Sequence, residues 1–182
     1  TNVRSPLECD VRFLPRLLDV PLARPLVRIM VAAAGAGAWM HVAPDGRVFN
    51  SGPDMTSRYL DTNGTGRWRD VANHLSSATR DYGSSVMYQA GKILVAGGGD
   101  PPTNTAEIID LTAPAPVWQS TASMNWARRQ MSLTVLPDGT VLAVGGSSSG
   151  GFNDATLAVL ATERWNPATG QWSVLASMQV PR

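Results

Sequence analysis

Cysteine is almost absent from this sequence, with Cys9 as its single example among 182 residues. One thiol can form neither an internal disulfide nor a thiolate metal site, so the fold draws its stability from other sources. We therefore interpret Cys9 as a free structural thiol.

Net charge and long apolar runs are lacking as well. The 15 basic and 14 acidic residues leave a formal charge of +1, which gives no electrostatic reason to bind nucleic acid or an anionic membrane. The most apolar stretch, residues 26–39, contains Arg28 and is shorter than the ~20 residues that cross a bilayer. We expect no nucleic acid and no membrane among the partners of this chain.

The chain is instead rich in glycine (17) and proline (13), and its pattern repeats. Three turn glycines, each between two apolar runs, recur 45 and 48 residues apart, at Gly46, Gly91 and Gly139. Three tryptophans recur 50 and 54 residues apart, at Trp68, Trp118 and Trp172. A recurrence near 50 residues is the period of kelch repeats, in which each repeat is one four-stranded sheet of a propeller.

The third repeat shows most clearly why each element forms. Pro137-Asp138-Gly139 predicts a hairpin turn, since Pro presets φ and Gly tolerates positive φ. The flanking runs, residues 133–136 and 140–144, are too short for helices and nearly continuously apolar, which predicts strands covered on both faces. The diglycine that ends the second strand predicts a close approach of two backbones, and Trp172 is predicted to fill the gap between neighbouring sheets.

These patterns predict an all-β fold, namely a partial kelch-type β-propeller of about three four-stranded blades. The blades are placed at about residues 39–72, 80–119 and 124–176, within a repeat region of residues 39–182. Residues 1–38 are rich in proline, which removes the amide donors that a central strand needs. This segment is predicted to be an irregular lead-in outside the repeats.

Four stretches of the repeats carry a family resemblance: residues 45–53, 58–61, 136–142 and 163–172. They resemble the kelch propeller of the galactose oxidase and glyoxal oxidase family. The resemblance implies a secreted copper radical oxidase on a seven-bladed propeller, which oxidises alcohols or aldehydes with oxygen and releases hydrogen peroxide. It also implies copper as the cofactor of the parent family, held by two tyrosines and two histidines, with a cysteine crosslinked to one tyrosine.

This chain does not offer the residues that the resemblance implies for the copper site. His41 is predicted inside a first strand and His74 in a connector, and neither lies next to a tyrosine. Gln130 stands where the family has its crosslinked tyrosine, and Cys9 lies outside the repeats. We therefore predict no catalytic, cofactor-binding or metal-binding residue in this chain, and no oxidase activity of the chain alone.

Several other polar groups receive structural interpretations. Arg128 and Arg129 are predicted to hydrogen-bond backbone carbonyls around the central channel of the propeller. Tyr88 is predicted to pack against neighbouring side chains. Glu107 and Glu163 occupy equivalent third-strand positions, which marks them as residues of the repeat rather than as a catalytic carboxylate pair.

Three further stretches resemble functional motifs, but we interpret each as a structural feature of the repeats. Gly97-Gly98-Gly99-Asp100 lacks the Lys-Ser/Thr of a phosphate-binding loop and is explained as the diglycine of its repeat. Asn63-Gly64-Thr65 fits the glycosylation pattern but also a turn between strands, and the turn is favoured. Residues 147–151 lie on the face where propeller loops gather, without a Ser/His/Asp grouping around them.

Three blades cannot close a ring, because propellers have about four to eight. The outer blades would then expose an apolar face and an unpaired edge. We expect the remaining blades of the propeller or a second copy of the chain as partners, unless residues 1–38 cover one face. The predicted function is the scaffold portion of a galactose/glyoxal oxidase-like propeller. The alternative is a non-catalytic kelch module that binds a protein or a carbohydrate through its loops.

Overall fold

Twelve strands form three four-stranded antiparallel sheets in the computed structural model, which describes residues 38–62, 66–152 and 154–181. Sheet one holds β1 (Met40–Val42), β2 (Val48–Asn50), β3 (Thr56–Asp61) and β4 (Arg67–Asn73). Sheet two holds β5 (Ser84–Gln89), β6 (Lys92–Ala96), β7 (Ala106–Asp110) and β8 (Gln119–Thr121). Sheet three holds β9 (Ser132–Val135), β10 (Val141–Val144), β11 (Glu163–Asn166) and β12 (Gln171–Val174). The predicted all-β fold, a partial propeller of three four-stranded sheets, is confirmed.

Each sheet is a meander, because every strand pairs with the next strand along the chain. A 3₁₀ turn at Ala155–Leu157 interrupts the connection between β10 and β11. None of the described residues form a helix of membrane-spanning length and hydrophobicity. The predicted lead-in of residues 1–38 lies outside the described residues, apart from residue 38, and so do Cys9 and Asn63-Gly64-Thr65.

The predicted hairpin turn of the third repeat is confirmed. Gly139 has a φ of +80°, and the Leu136 amide donates to the Thr140 carbonyl at 2.8 Å. Asp138 Oδ1 accepts from both the amide and the hydroxyl of Thr140, at 3.0 and 2.6 Å. The aspartate thus fixes the chain just after the turn, and the glycine supplies the left-handed backbone that closes it.

The hydrophobic core lies between the sheets rather than within any one of them. Strand β6 sends Ile93 and Val95 into one cluster with Phe49 and other side chains of sheet one. It sends Leu94 and Ala96 into a second cluster with side chains of sheet three. Because alternate residues of a strand point to opposite faces, sheet two is buried on both faces.

The diglycines bring backbones into contact, as predicted. A Cβ built on Gly97 would lie 2.5 Å from the Arg128 carbonyl oxygen, and one on Gly98 would lie 2.4 Å from that of Arg80. A Cβ on Gly146 would lie 2.4 Å from the Arg129 carbonyl oxygen. Side chains at these glycines would therefore collide with the segments that lead into the first strands of sheets two and three.

Tryptophans fill the gaps between neighbouring sheets, as predicted. Trp118, just before β8, donates from Nε1 to Ser57 Oγ of sheet one at 3.1 Å. Trp172 of β12 donates to the Ala122 carbonyl, just after β8, at 2.8 Å. Each indole thus packs against the preceding sheet and satisfies its polar nitrogen there.

Candidate functional site

A buried arginine and glutamate join sheet one to sheet two. Arg80 Nη2 donates to Glu107 Oε1 at 2.5 Å, and Arg80 Nη1 donates to the carbonyls of Gly97 and Thr105. The carboxylate of Glu107 also accepts from the Leu75 amide at 2.9 Å, just after the last strand of sheet one. Glu107, which belongs to sheet two, therefore binds both the arginine before sheet two and the backbone that leaves sheet one.

The same arrangement recurs between sheets two and three. Arg128 Nη2 donates to Glu163 Oε2 at 2.6 Å, and Arg128 Nη1 donates to the carbonyls of Gly145 and Ala161. The Asn125 amide donates to Glu163 Oε1 at 2.6 Å. The predicted hydrogen bonds from Arg128 to backbone carbonyls are confirmed. We call this unit of arginine, third-strand glutamate and preceding-sheet amide the inter-sheet clasp.

Hydrogen bonds dominate the electrostatics of the first clasp. Burial by itself would raise the pKa of Glu107, but hydrogen bonds from His74, Arg80 and the Leu75 amide lower it to about 2. The carboxylate is therefore ionised at neutral pH and balances the buried guanidinium. Sequence reasoning noted Glu107 and Glu163 as equivalent residues but missed their arginine partners. The signal was available, since an arginine precedes the first strand of each of these two sheets.

Both histidines take part in contacts between sheets one and two. His74 Nε2 donates to the Ser51 carbonyl at 2.9 Å, and Nδ1 lies 3.1 Å from Glu107 Oε2. The His74 ring also stacks on Trp118, with ring centres 4.2 Å apart. His41 Nε2 lies 2.8 Å from Ser85 Oγ, and burial lowers the pKa of His41 to about 4.

Two residues at the rim of sheets two and three have an unusual backbone. Tyr82 and Gln130 have φ values of 59° and 60°, in the left-handed region that side chains other than glycine rarely adopt. The Gln130 amide donates to the Tyr82 carbonyl at 2.6 Å. Such conformations concentrate at functional sites. Sequence reasoning examined Gln130 but missed that Arg80-Asp81-Tyr82 has the same spacing as Arg128-Arg129-Gln130.

Arg129 organises the side chains beside this rim. Its guanidinium carbon lies 4.6 Å from the ring centre of Tyr82 and 5.5 Å from that of Phe152. The two rings meet edge to face, with centres 5.0 Å apart. Arg129 Nη1 donates to the Gly150 carbonyl at 2.9 Å, which confirms the predicted bond to backbone. The loop of residues 147–151 is thereby tied to the segment that enters sheet three.

A cavity of about 460 Å³ opens at Gln130. It is lined by residues from the start of sheet three, its long loop and the end of the described chain: Gln130, Gly146, Ser147, Asp154, Ala155, Ala158 and Pro181. Asp154 accepts from the amide and hydroxyl of Thr156, and the hydroxyl bond lowers its pKa. An amide, a hydroxyl and a carboxylate suit a polar ligand without negative charge.

Copper does not fit the residues that the structure describes. No group of three or more His, Cys, Asp or Glu side chains lies close enough to hold a metal ion within that part of the chain. Tyr88 packs edge to face on Trp165, with ring centres 4.9 Å apart, as predicted. Tyr59 lies against Phe49 under the guanidinium of Arg47. The prediction that this chain holds no catalytic, cofactor-binding or metal-binding residue remains a prediction for the chain as a whole.

Comparisons with known proteins found relatives among fungal oxidases. No family model matches the chain. The chain is 33% identical over 135 residues to galactose oxidase from Gibberella zeae, a match that takes 65% of this chain and 20% of the relative. Among solved structures, the chain matches a protein described as a novel fungal alcohol oxidase of the AA5 family in complex with copper. That match has a TM-score of 0.74 and 32% identity, and it covers 80% of this chain and 32% of the other.

The chain thus spans about a fifth of the length of its curated relatives and about a third of the structural neighbour. The two comparisons point to the same kind of protein. Over this part of their length, the chain is a homologue of galactose oxidase and shares its fold with a copper-containing fungal alcohol oxidase.

Proposed function

We propose that this chain is the scaffold portion of a secreted galactose/glyoxal oxidase-like kelch propeller, and that it does not assemble a copper site from its own residues. The observation that carries the proposal is the engagement of both histidines. His74 has partners at both ring nitrogens, and His41 is bound to Ser85 across the junction of two sheets. A histidine that holds two sheets together cannot turn toward a metal without opening that junction.

The copper chemistry of the relatives would then depend on residues other than those described. Copper would supply the oxidation of an alcohol or aldehyde in the complete oxidase. The described sheets would contribute the framework and the loops beside the cavity at Gln130. Gln130 itself carries an amide, which cannot form the phenoxyl radical that the family resemblance implies at this position.

Copper titration followed by electron paramagnetic resonance tests the proposal. We expect the purified chain to bind no stoichiometric copper and to release no hydrogen peroxide from galactose or from glyoxal-type aldehydes. The variants His41→Gln and His74→Gln serve as matched controls. Stoichiometric copper that is lost in either variant, or peroxide release by the unaltered chain, would overturn the proposal.

The second candidate function is a non-catalytic module that binds a carbohydrate or a protein through its loops. It is favoured by the 460 Å³ cavity with its neutral and anionic polar groups, and by the exposure of 59% of Phe152, which lies in the same loop as the lining residue Asp154. An aromatic ring next to hydrogen-bonding side chains is a common way to hold a sugar or a polar peptide. Glycan-array binding that falls in Gln130→Ala and in Phe152→Ala would support this function over the scaffold proposal.

A further inference from the structure

Both histidines of the chain meet at one residue, Ser51, where sheet one packs on sheet two. His41 Nε2 lies 3.2 Å from the Ser51 hydroxyl oxygen, and His74 Nε2 donates to the Ser51 carbonyl at 2.9 Å. Ser51 itself is fully buried. Since these are the two histidines of the sequence, the junction between sheets two and three contains none. The side chain that titrates nearest to neutral pH is therefore confined to one of the two junctions.

His41 belongs to a cluster of hydroxyl groups that joins the two sheets. Its Nε2 lies 2.8 Å from Ser85 Oγ of β5, and the hydroxyl oxygens of Ser51 and Ser85 lie 2.7 Å apart. The Ser51 hydroxyl is also within 3.3 Å of the Trp39 carbonyl. With the ring proton on Nε2, the imidazole donates to Ser85, which donates to Ser51, so every donor in the cluster has an acceptor. The cluster is therefore complete with a neutral ring.

The junction between sheets two and three has apolar side chains at the equivalent positions. The register of the first hairpin in each sheet defines the equivalence, counted from the turn glycines Gly46, Gly91 and Gly139. Three pairs of positions correspond in this way: His41 and Val86, Ser51 and Ala96, and Ser85 and Leu133. The three apolar residues all belong to the hydrophobic cluster between sheets two and three. A polar cluster with a histidine at one junction thus takes the place of apolar packing at the other.

A proton added to His41 creates a charge that no side chain in the described part of the chain balances. The strands packed on it, β2 and β5, contain no charged residue, and Tyr88 of β5 packs toward sheet three. A proton added to His74, by contrast, meets the Glu107 carboxylate 3.1 Å from Nδ1, which Arg80 also binds. Burial alone lowers the pKa of His41 to about 4. His41 is therefore the group whose protonation works against the junction.

We propose that the junction between sheets one and two is an acid-sensitive hinge, in which a proton on His41 releases sheet one from sheet two while sheets two and three stay packed. Opening the junction exposes His41 to water, which solvates the cation, whereas the closed junction keeps the ring neutral. Acid therefore shifts the equilibrium toward the open junction. This hinge depends on neither copper nor a bound ligand, so it is independent of the proposed function.

Two buried indoles report on the two junctions separately. Trp118 donates from Nε1 to Ser57 Oγ across the junction of sheets one and two, at 3.1 Å. Trp165 donates from Nε1 to Thr121 Oγ1 across the junction of sheets two and three, also at 3.1 Å. The two tryptophans are exposed by only 4% and 1%. Since Ser57 lies on β3, outside the strands of the His41 cluster, a rearrangement confined to that cluster leaves Trp118 protected.

Hydrogen exchange of these two indoles, measured by NMR in the dilute full chain and corrected for the rate of a free indole, tests the hinge. We expect the protection of Trp118 to fall about 20-fold from pH 7 to pH 5. That is the change expected for His41 if its pKa is 6.5 in the open junction and about 4 in the closed one. The protection of Trp165 should change less than about twofold. Equal falls at both indoles, or no fall at Trp118, would overturn the proposal.

Substitutions identify the group that titrates. His41→Gln keeps a polar side chain that takes up no proton, so the protection of Trp118 should be nearly equal at pH 7 and pH 5. The triple variant His41→Val, Ser51→Ala and Ser85→Leu gives this junction the side chains of the other junction and should behave in the same way. His74→Gln is the matched control, in which the fall at Trp118 should persist. A fall that survives in either variant without His41, or that disappears in His74→Gln, would contradict the hinge.

Discussion

At the scale of residues, the most unusual feature of this protein is a set of two buried ion pairs. The side chains of Arg128 and Glu163 are fully buried, and those of Arg80 and Glu107 are exposed by only 2% and 3%. Removing charges from water is costly unless each finds a partner and further hydrogen bonds. Here the backbone carbonyls and amides of two sheets supply those bonds, so the ion pairs also determine how neighbouring sheets meet.

Replacement of one carboxylate should show how much a clasp contributes. Glu107→Gln leaves Arg80 buried without a counter-charge, and we expect it to lower the free energy of unfolding by about 3–5 kcal/mol. Urea denaturation of the full chain measures the loss. Asp45→Asn is the matched control, because the Asp45–Arg47 pair is about half exposed and should contribute less than about 1 kcal/mol. Losses of equal size at the two positions would argue against the role of the clasp.

His41 predicts a dependence of stability on pH. Burial lowers the pKa of His41 from 6.5 to about 4, so between these values the unfolded chain binds a proton that the folded chain does not. Stability should therefore fall as the pH drops through that window, by at most about 3 kcal/mol. His41→Gln should flatten this slope in urea unfolding measured at pH 7, 5 and 4.

Hydrogen bonds, and not burial, lower the pKa of Glu107, and this carboxylate affects stability at a lower pH than His41 does. Hydrogen bonds lower it from 4.5 to about 2, so its stabilisation is present above the ordinary carboxyl pKa and is lost as the pH falls toward 2. The His41→Gln variant should keep this second slope. A variant with the same slope as the original chain between pH 7 and 4 would show that His41 is not the group that titrates.

At the scale of strands, burial differs between repeats that look alike in sequence. The apolar run of β6 is buried on both faces, as its pattern predicts. The similar run of β10 is buried on one face only, because the described chain offers no sheet beyond sheet three. The apolar pattern of a strand indicates which of its faces can be buried, and the neighbouring sheets decide which faces are in fact covered.

Two glycines separate the cost of backbone strain from the cost of a steric clash. Gly46 and Gly98 have nearly equal φ values of +83° and +81°, so alanine meets the same backbone strain at either position. A Cβ at Gly46 meets nothing within 4 Å, whereas one at Gly98 would lie 2.4 Å from the Arg80 carbonyl. We expect Gly46→Ala to cost about 1 kcal/mol and Gly98→Ala at least about twice that. Thermal unfolding of both variants decides this, and equal costs would show that only the strain counts.

At the scale of the whole molecule, the three sheets form an open arc. Apolar residues such as Val174 and Leu175 are exposed by 50% and 37% at its third sheet. We expect the isolated chain to associate without a defined stoichiometry, as a broad distribution in sedimentation velocity that shifts with concentration. A compact monomer over a wide concentration range would count against the open arc.

The sequence predicted much of the fold because the decisive signals are local. Pro137-Asp138-Gly139 dictates a turn wherever it occurs, and short apolar runs between such turns can only be strands. The bond between Arg129 and the Gly150 carbonyl also followed from the type of residue and its place beside the channel. The contact of Tyr82 with Gln130 and Phe152 did not follow, because it joins residues of two sheets and depends on how the sheets are stacked.

The amino-acid sequence by itself determined the repeat and the number of sheets, since both follow from spacing and composition along one stretch of chain, and its motifs carried the family resemblance. Only the tertiary structure decided that Glu107 and Glu163 are the carboxylates of two buried clasps. The physical reason is that a buried charge is stable only with its partners, and those partners lie 17 to 38 residues away along the chain and meet only when the strands and sheets pack together.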